Sequence, residues 1–184
     1  MKVAFGFKAH SGWAALVALG KSRGDFVVVD RRRVELVEEE WAKQPYHAAE
    51  ELEPDTARKL VKRGIDSAYG IAIRELHAAV ARQRDLGNQV AACAVVVGNP
   101  MPEWTVAQIL AVHFRMHQAE GVLFRDALIN AARECALKVL EVPEKTLVTH
   151  TDLSKHLTAL GKLAGPPWGK DQKDATLAAM LALR

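Results

Sequence analysis

Eight consecutive apolar residues, Val90-Ala-Ala-Cys-Ala-Val-Val-Val97, constrain the fold of this chain more than any other segment. A half-buried strand alternates apolar and polar side chains, whereas a strand covered on both faces reads as an unbroken apolar run. The run follows the Gly87-Asn88 break and is too short for a free-standing helix, so it predicts a central parallel strand with helices on both sides. A chain of 184 residues, 49% hydrophobic and 26% charged, is long enough to build that core within a single domain spanning residues 1–184.

The flanking segments supply the rest of a mixed sheet. Val3 to Phe7, Trp13 to Leu19, and Phe26 to Asp30 continuing through Val34 to Val37 read as three strands separated by Gly-containing or charged turns. Glu40 to Glu53 is a long connection. Asp55 then opens a helix in which Leu60, Ile65, Ala68, Ile71, Leu76 and Val80 recur at helical spacing. Beyond the buried strand, a helical region from about Thr105 to Leu137 precedes a short strand at Lys138 to Val142. Helices follow near Leu153 to Leu163 and Asp171 to Leu183.

Several classes of protein are excluded at this level. The N-terminal segment is too polar for a signal peptide and no apolar run reaches bilayer length, so the chain reads as cytoplasmic with no membrane partner. Cys93 and Cys135 lie in apolar stretches and read as buried small hydrophobes, not as a disulfide or metal pair. A formal charge of +3 does not by itself establish a nucleic-acid partner. Arg31-Arg32-Arg33 and the set Lys59, Lys62, Arg63 are the places where local basic patches would form.

The end of the chain carries the clearest chemistry. A Pro/Gly loop, Gly165-Pro-Pro-Trp-Gly169, runs into a helix with Asp171 and Asp174 in its first turn, three residues apart and on one face. The helix dipole favours ionised carboxylates there, which suits a divalent cation and equally suits a capped helix start with Asp171 as the cap.

Three strands, helix, strand, helix, strand, helix is the element order of the ribonuclease H-like fold. The segment Gln118 to Pro143 resembles the stretch of RuvC-type Holliday junction resolvases in which a helix opens around Ala-basic-Gly-Val, with Glu120 standing at the basic position. The Pro-Pro loop and the helix beginning Asp171-Gln-Lys-Asp-Ala are also similar to the end of that family. The resemblance implies an α/β fold with a mixed sheet of about five strands, the first three antiparallel, flanked by helices. It further implies phosphodiester hydrolysis with Mg²⁺ or Mn²⁺, structured DNA or RNA as partner, and a homodimer. Carried over by position, Asp171 and Asp174 are the metal-binding and catalytic pair of the last helix.

The family also places an Asp on the first strand and a Glu at the end of the fourth. This chain has neither: the first strand offers Lys8 and His10, and the fourth ends at Asn99, with Glu103 further on. In their place stand His10 and His47 as catalytic candidates, with Lys8, Ser11, Tyr46, Asn99 and Trp168 as substrate-binding candidates. Imidazole suits a softer transition-metal ion better than a carboxylate-only Mg²⁺ cage does. His113 and His117, four apart with Glu120 three further on, share one helix face. Phe114 stands where an HExxH motif has its Glu, and no further ligand is identifiable in sequence, so they read as a structural pair.

Two functions follow: a nuclease-like enzyme with a rebuilt metal site, or a silent module of the same fold that binds nucleic acid or a protein. The enzyme requires a further carboxylate or His beside Asp171 and Asp174. The silent module pairs these residues with Lys8, Lys170 or Lys173.

Overall fold

Strand pairing follows the apolar runs. In the computed structural model, which describes residues 1–184, β1 (Lys2–His10), β2 (Trp13–Ser22) and β3 (Asp25–Glu35) form an antiparallel meander. Strands β4 (Gln89–Val97) and β5 (Lys138–Pro143) complete a five-stranded sheet of order β3-β2-β1-β4-β5. The apolar run is the inner strand expected of it, parallel to β1 on one side and to β5 on the other. Helix α1 (Pro54–Asp85) links the meander to β4, and α3 (His113–Glu134) links β4 to β5.

The two faces of the sheet bury different side chains, as a period of two requires. Val3, Phe5, Phe7, Cys93 and Val95 pack with Ala68, Ala72, Leu76, Phe124 and Leu128 of α1 and α3. Ala94, Val96 and Leu19 pack instead with Leu177, Ala178 and Met180 of α7 (Lys170–Ala182). Helix α7 lies directly on β1. A Cβ built at Gly6 would sit 1.8 Å from the Ala175 carbonyl oxygen, so the absence of a side chain is what permits the approach. Lys8 and His10, two and four residues further along β1, therefore point toward the same side as α7.

Three segments differ from their sequence reading. The helical region from Thr105 to Leu137 is two helices, α2 (Val106–Leu110) and α3, because Val112 is extended at φ −143° and ψ 111°. Thr105 and Gln108 form a capping box on α2. The break lets Ile109 fold back on Ala57 and Val61 of α1 in a third apolar cluster that also buries Tyr46 and Met116. Between β5 and α7 the chain forms short helices α4 (Glu144–Leu147), α5 (Thr151–Ser154) and α6 (Leu157–Ala164) in place of one longer helix. The long connection also contains two short 3-10 turns, Glu40–Lys43 and His47–Ala49.

Candidate functional site

Parallel strands β1, β4 and β5 end together, and the crevice at their carboxyl ends is where open α/β sheets bind ligands. A cavity of about 320 Å³ opens there, lined by Lys8 of β1, Gly98 and Asn99 after β4, Gln118 and Arg125 of α3, and Glu144. Its polar groups are largely committed to one another. Lys8 Nζ donates to Glu144 Oε2 at 2.6 Å, and Lys170 Nζ donates to Glu144 Oε1 at 2.7 Å and to Asp174 Oδ2. Asp174 is 8% exposed. The two ammonium groups, Lys170 first and then Lys8, hold the Glu144 carboxyl down from its ordinary 4.5 to about 2. Asp174 and then Glu144 in turn push the Lys170 ammonium up.

Asp171 and Asp174 thus engage different partners. His10 Nε2 lies 3.0 Å from Asp171 Oδ1, without hydrogen-bond alignment, and its ring stacks on Trp13 at 4.4 Å between centroids. Asp171 is not the helix cap: Gly169 occupies that position and donates its N–H to the Gln172 side chain at 2.9 Å.

The donor set of this crevice does not fit Mg²⁺ or Mn²⁺. Such ions need carboxylates with free oxygens and room for waters. Here both Glu144 oxygens and one Asp174 oxygen already accept from ammonium groups. A unit-charge contact at 4 Å counts about 4 kcal/mol at an effective dielectric constant of 20. Two ammonium groups consequently offset the attraction that Glu144 and Asp174 would offer a cation, and leave Asp171, facing the His10 ring, as the one carboxylate there without an ammonium partner.

The remaining sequence candidates scatter. Tyr46 is 7% exposed within the third apolar cluster, and burial pushes its hydroxyl upward, so it serves as core. Trp168 packs its indole over Gly161 and donates Nε1–H to the Leu157 carbonyl at 3.1 Å, which commits the ring to the loop. Ser11 is exposed in the β1–β2 turn and lines a separate cavity of about 370 Å³ with His47. Asn99 is exposed at the strand-end cavity, and its carbonyl accepts from Arg125 Nη2 at 3.1 Å. The basic runs are largely spent: Arg31 donates to the carbonyls of Gly165, Pro166 and Pro167, Arg32 pairs with Asp30, and Arg33 lies over Trp13. Lys62 pairs with Asp66, and Arg63 pairs with Glu39.

A second cluster lies at the third apolar core. Glu120 of α3, 3% exposed, accepts the backbone N–H groups of Tyr46 at 3.2 Å and His47 at 3.1 Å on Oε1, and its Oε2 lies 2.7 Å from His47 Nδ1. It pins the long connection onto α3. His113 and His117 present their rings to His47 with centroids 5.0 and 4.6 Å away. The paired helical histidines were visible in sequence; their third neighbour was not, because His47 reaches them only through this tertiary contact. Glu144, Gln118 and Arg125 were likewise missed. The one sequence signal for Glu144 is a carboxylate placed directly after the last residue of a short parallel strand.

The architecture is the ribonuclease H-like fold, with an antiparallel meander, two parallel strands and helices on both faces. Among solved structures it is similar to RuvC of Thermus thermophilus in complex with Holliday junction substrate, at a TM-score of 0.54 and 13% identity, covering 98% of this chain and 91% of that one. A second Thermus thermophilus RuvC structure matches at a TM-score of 0.50 and 14% identity, covering 97% of this chain and 91% of the other. No family model and no curated protein matches the sequence. No helix is long and apolar enough to cross a membrane.

Proposed function

We propose that this chain is a catalytically silent ribonuclease H-like module that binds structured nucleic acid, DNA or RNA, at the carboxyl ends of its parallel strands. The observation that carries the reading is the chain of ion pairs from Lys8 through Glu144 and Lys170 to Asp174, which fills the crevice with ammonium groups. A nuclease reading built on Asp171 and Asp174 would require a divalent ion to displace Lys170 from Asp174. For a phosphate the cavity offers donors, since the cationic side chains of Lys8 and Arg125 both line it. The likeness in fold to a resolvase bound to a Holliday junction supports nucleic acid over a protein partner.

Metal-stripped protein titrated calorimetrically with Mg²⁺ and Mn²⁺, beside an Asp171→Asn/Asp174→Asn variant, tests the silent site. Binding of a four-way DNA junction and of a structured RNA, followed by anisotropy and by cleavage, tests the partner. The expected result is no heat that depends on these carboxylates, no cleavage, and junction binding that weakens steeply with salt and in Arg125→Ala. Cleavage that disappears in Asp174→Asn would establish the nuclease instead. Absence of nucleic-acid binding would turn the assignment to a protein partner.

A further inference from the structure

We infer that His47, His113 and His117 form a zinc site of three imidazole ligands on this chain, built from residues outside the ion-paired carboxylate cluster. One ring nitrogen of each histidine lies within 4.8 Å of one from each of the others. His113 Nε2 and His117 Nε2 are 3.1 Å apart. Two nitrogens on a tetrahedral zinc, each about 2.0–2.1 Å from the metal, are separated by about 3.3 Å, so this pair needs almost no adjustment.

The protonation pattern around His47 points the same way. Glu120 lies 2.7 Å from Nδ1, and a carboxylate there fixes the N–H on Nδ1, leaving the lone pair on Nε2. His47 Nε2 is buried and has no hydrogen-bond partner. A carboxylate behind a histidine whose opposite nitrogen is free is the outer arrangement of zinc-binding imidazoles, in which the carboxylate sets both tautomer and ring direction. A second carboxylate, Glu50 Oε1, stands 3.8 Å from His113 Nδ1.

The framework is also held in place before any ion arrives. Glu120 fixes His47 by its backbone as well as its ring, and the four-residue spacing of His113 and His117 puts them on one face of α3. Imidazole donors with no thiolate and no directly coordinating carboxylate favour zinc or a similar late transition metal over Mg²⁺ or Ca²⁺. Three protein ligands leave a fourth tetrahedral position for water or an anionic oxygen, and His47 also lines the cavity that reaches Ser11 and Lys43.

The test is metal binding by tag-free protein, with Zn²⁺ measured against a chromophoric chelator and Co²⁺ read by its visible absorption. The expected result is one Zn²⁺ per chain and the intense absorption of tetrahedral Co²⁺. His113 and His117 are exposed, so His113→Ala and His117→Ala leave the metal-free unfolding midpoint in place and each lowers zinc affinity at least about 100-fold. Glu120→Gln keeps an oxygen for the Tyr46 and His47 amides but turns a donor toward His47 Nδ1, and lowers affinity about 10- to 100-fold. Failure to bind one equivalent, or unchanged affinity in both exposed-histidine variants, would overturn the site and leave a purely structural histidine cluster. Neither result depends on nucleic-acid binding.

Discussion

Replacing Glu144 by Gln isolates the ion-pair chain that closes the strand-end crevice. The carboxyl is held near 2 instead of 4.5, chiefly by hydrogen bonds from Lys170 and then Lys8. At 1.36 kcal/mol per pH unit, that difference of about 2.5 corresponds to about 3.4 kcal/mol as an upper bound. The Glu144 side chain is 41% exposed and that of Lys170 68%, so solvent screening cuts the figure to about 1–1.5 kcal/mol. Because the folded-state value is depressed, the contribution is fully present above about pH 4.5 and is lost as the pH falls toward 2. Urea unfolding of wild type and Glu144→Gln at pH 7, 5 and 3 measures it. The two midpoints should differ most at pH 7 and 5, with the gap reduced by about half at pH 3 and closing only near pH 2. A gap that is the same at every pH, or is below about 0.3 kcal/mol at pH 7, would refute the argument. The variant also releases Lys8, so junction affinity at low salt should rise several-fold.

Gly6→Ala would drive a methyl group against the Ala175 carbonyl, and rigid backbone on both sides leaves no flexible atom to yield. Overpacking of this kind should cost at least about 3 kcal/mol and lower the denaturation midpoint accordingly. Arg31→Met removes the donors to three consecutive loop carbonyls, Gly165 to Pro167, and should cost about 2 kcal/mol while raising the rate of protease cleavage in that loop.

Particular residues mark how far the sequence could be read. The uninterrupted run at Val90 to Val97 identified an inner parallel strand because only burial on both faces removes alternation, and the structure places it between β1 and β5. The long periodic stretch of α1 was equally legible, since its apolar positions recur at helical spacing, those at its start in the third cluster and those further along in the first. Helix ends were less so. The extended backbone at Val112 has no local signal; it exists because Ile109 gains a place against Ala57 and Val61 that an unbroken helix would miss. Asp171 and Asp174 were found as carboxylates on one helix face, but their neighbours decide their chemistry: His10 of β1 faces Asp171, and Lys170, which pairs with Asp174, is itself tied to Glu144 at the start of α4.

The sequence by itself determined the sheet, its order of elements and the two faces to be covered, because hydrophobic periodicity is a local record of burial. It also determined that β1 and β4 carry no carboxylate side chain. Only the tertiary structure decided that Glu144 stands between Lys8 and Lys170, and that His47 reaches His113 and His117. Such contacts join residues far apart in the chain, and no local spacing encodes a distance that exists only once separate elements have packed.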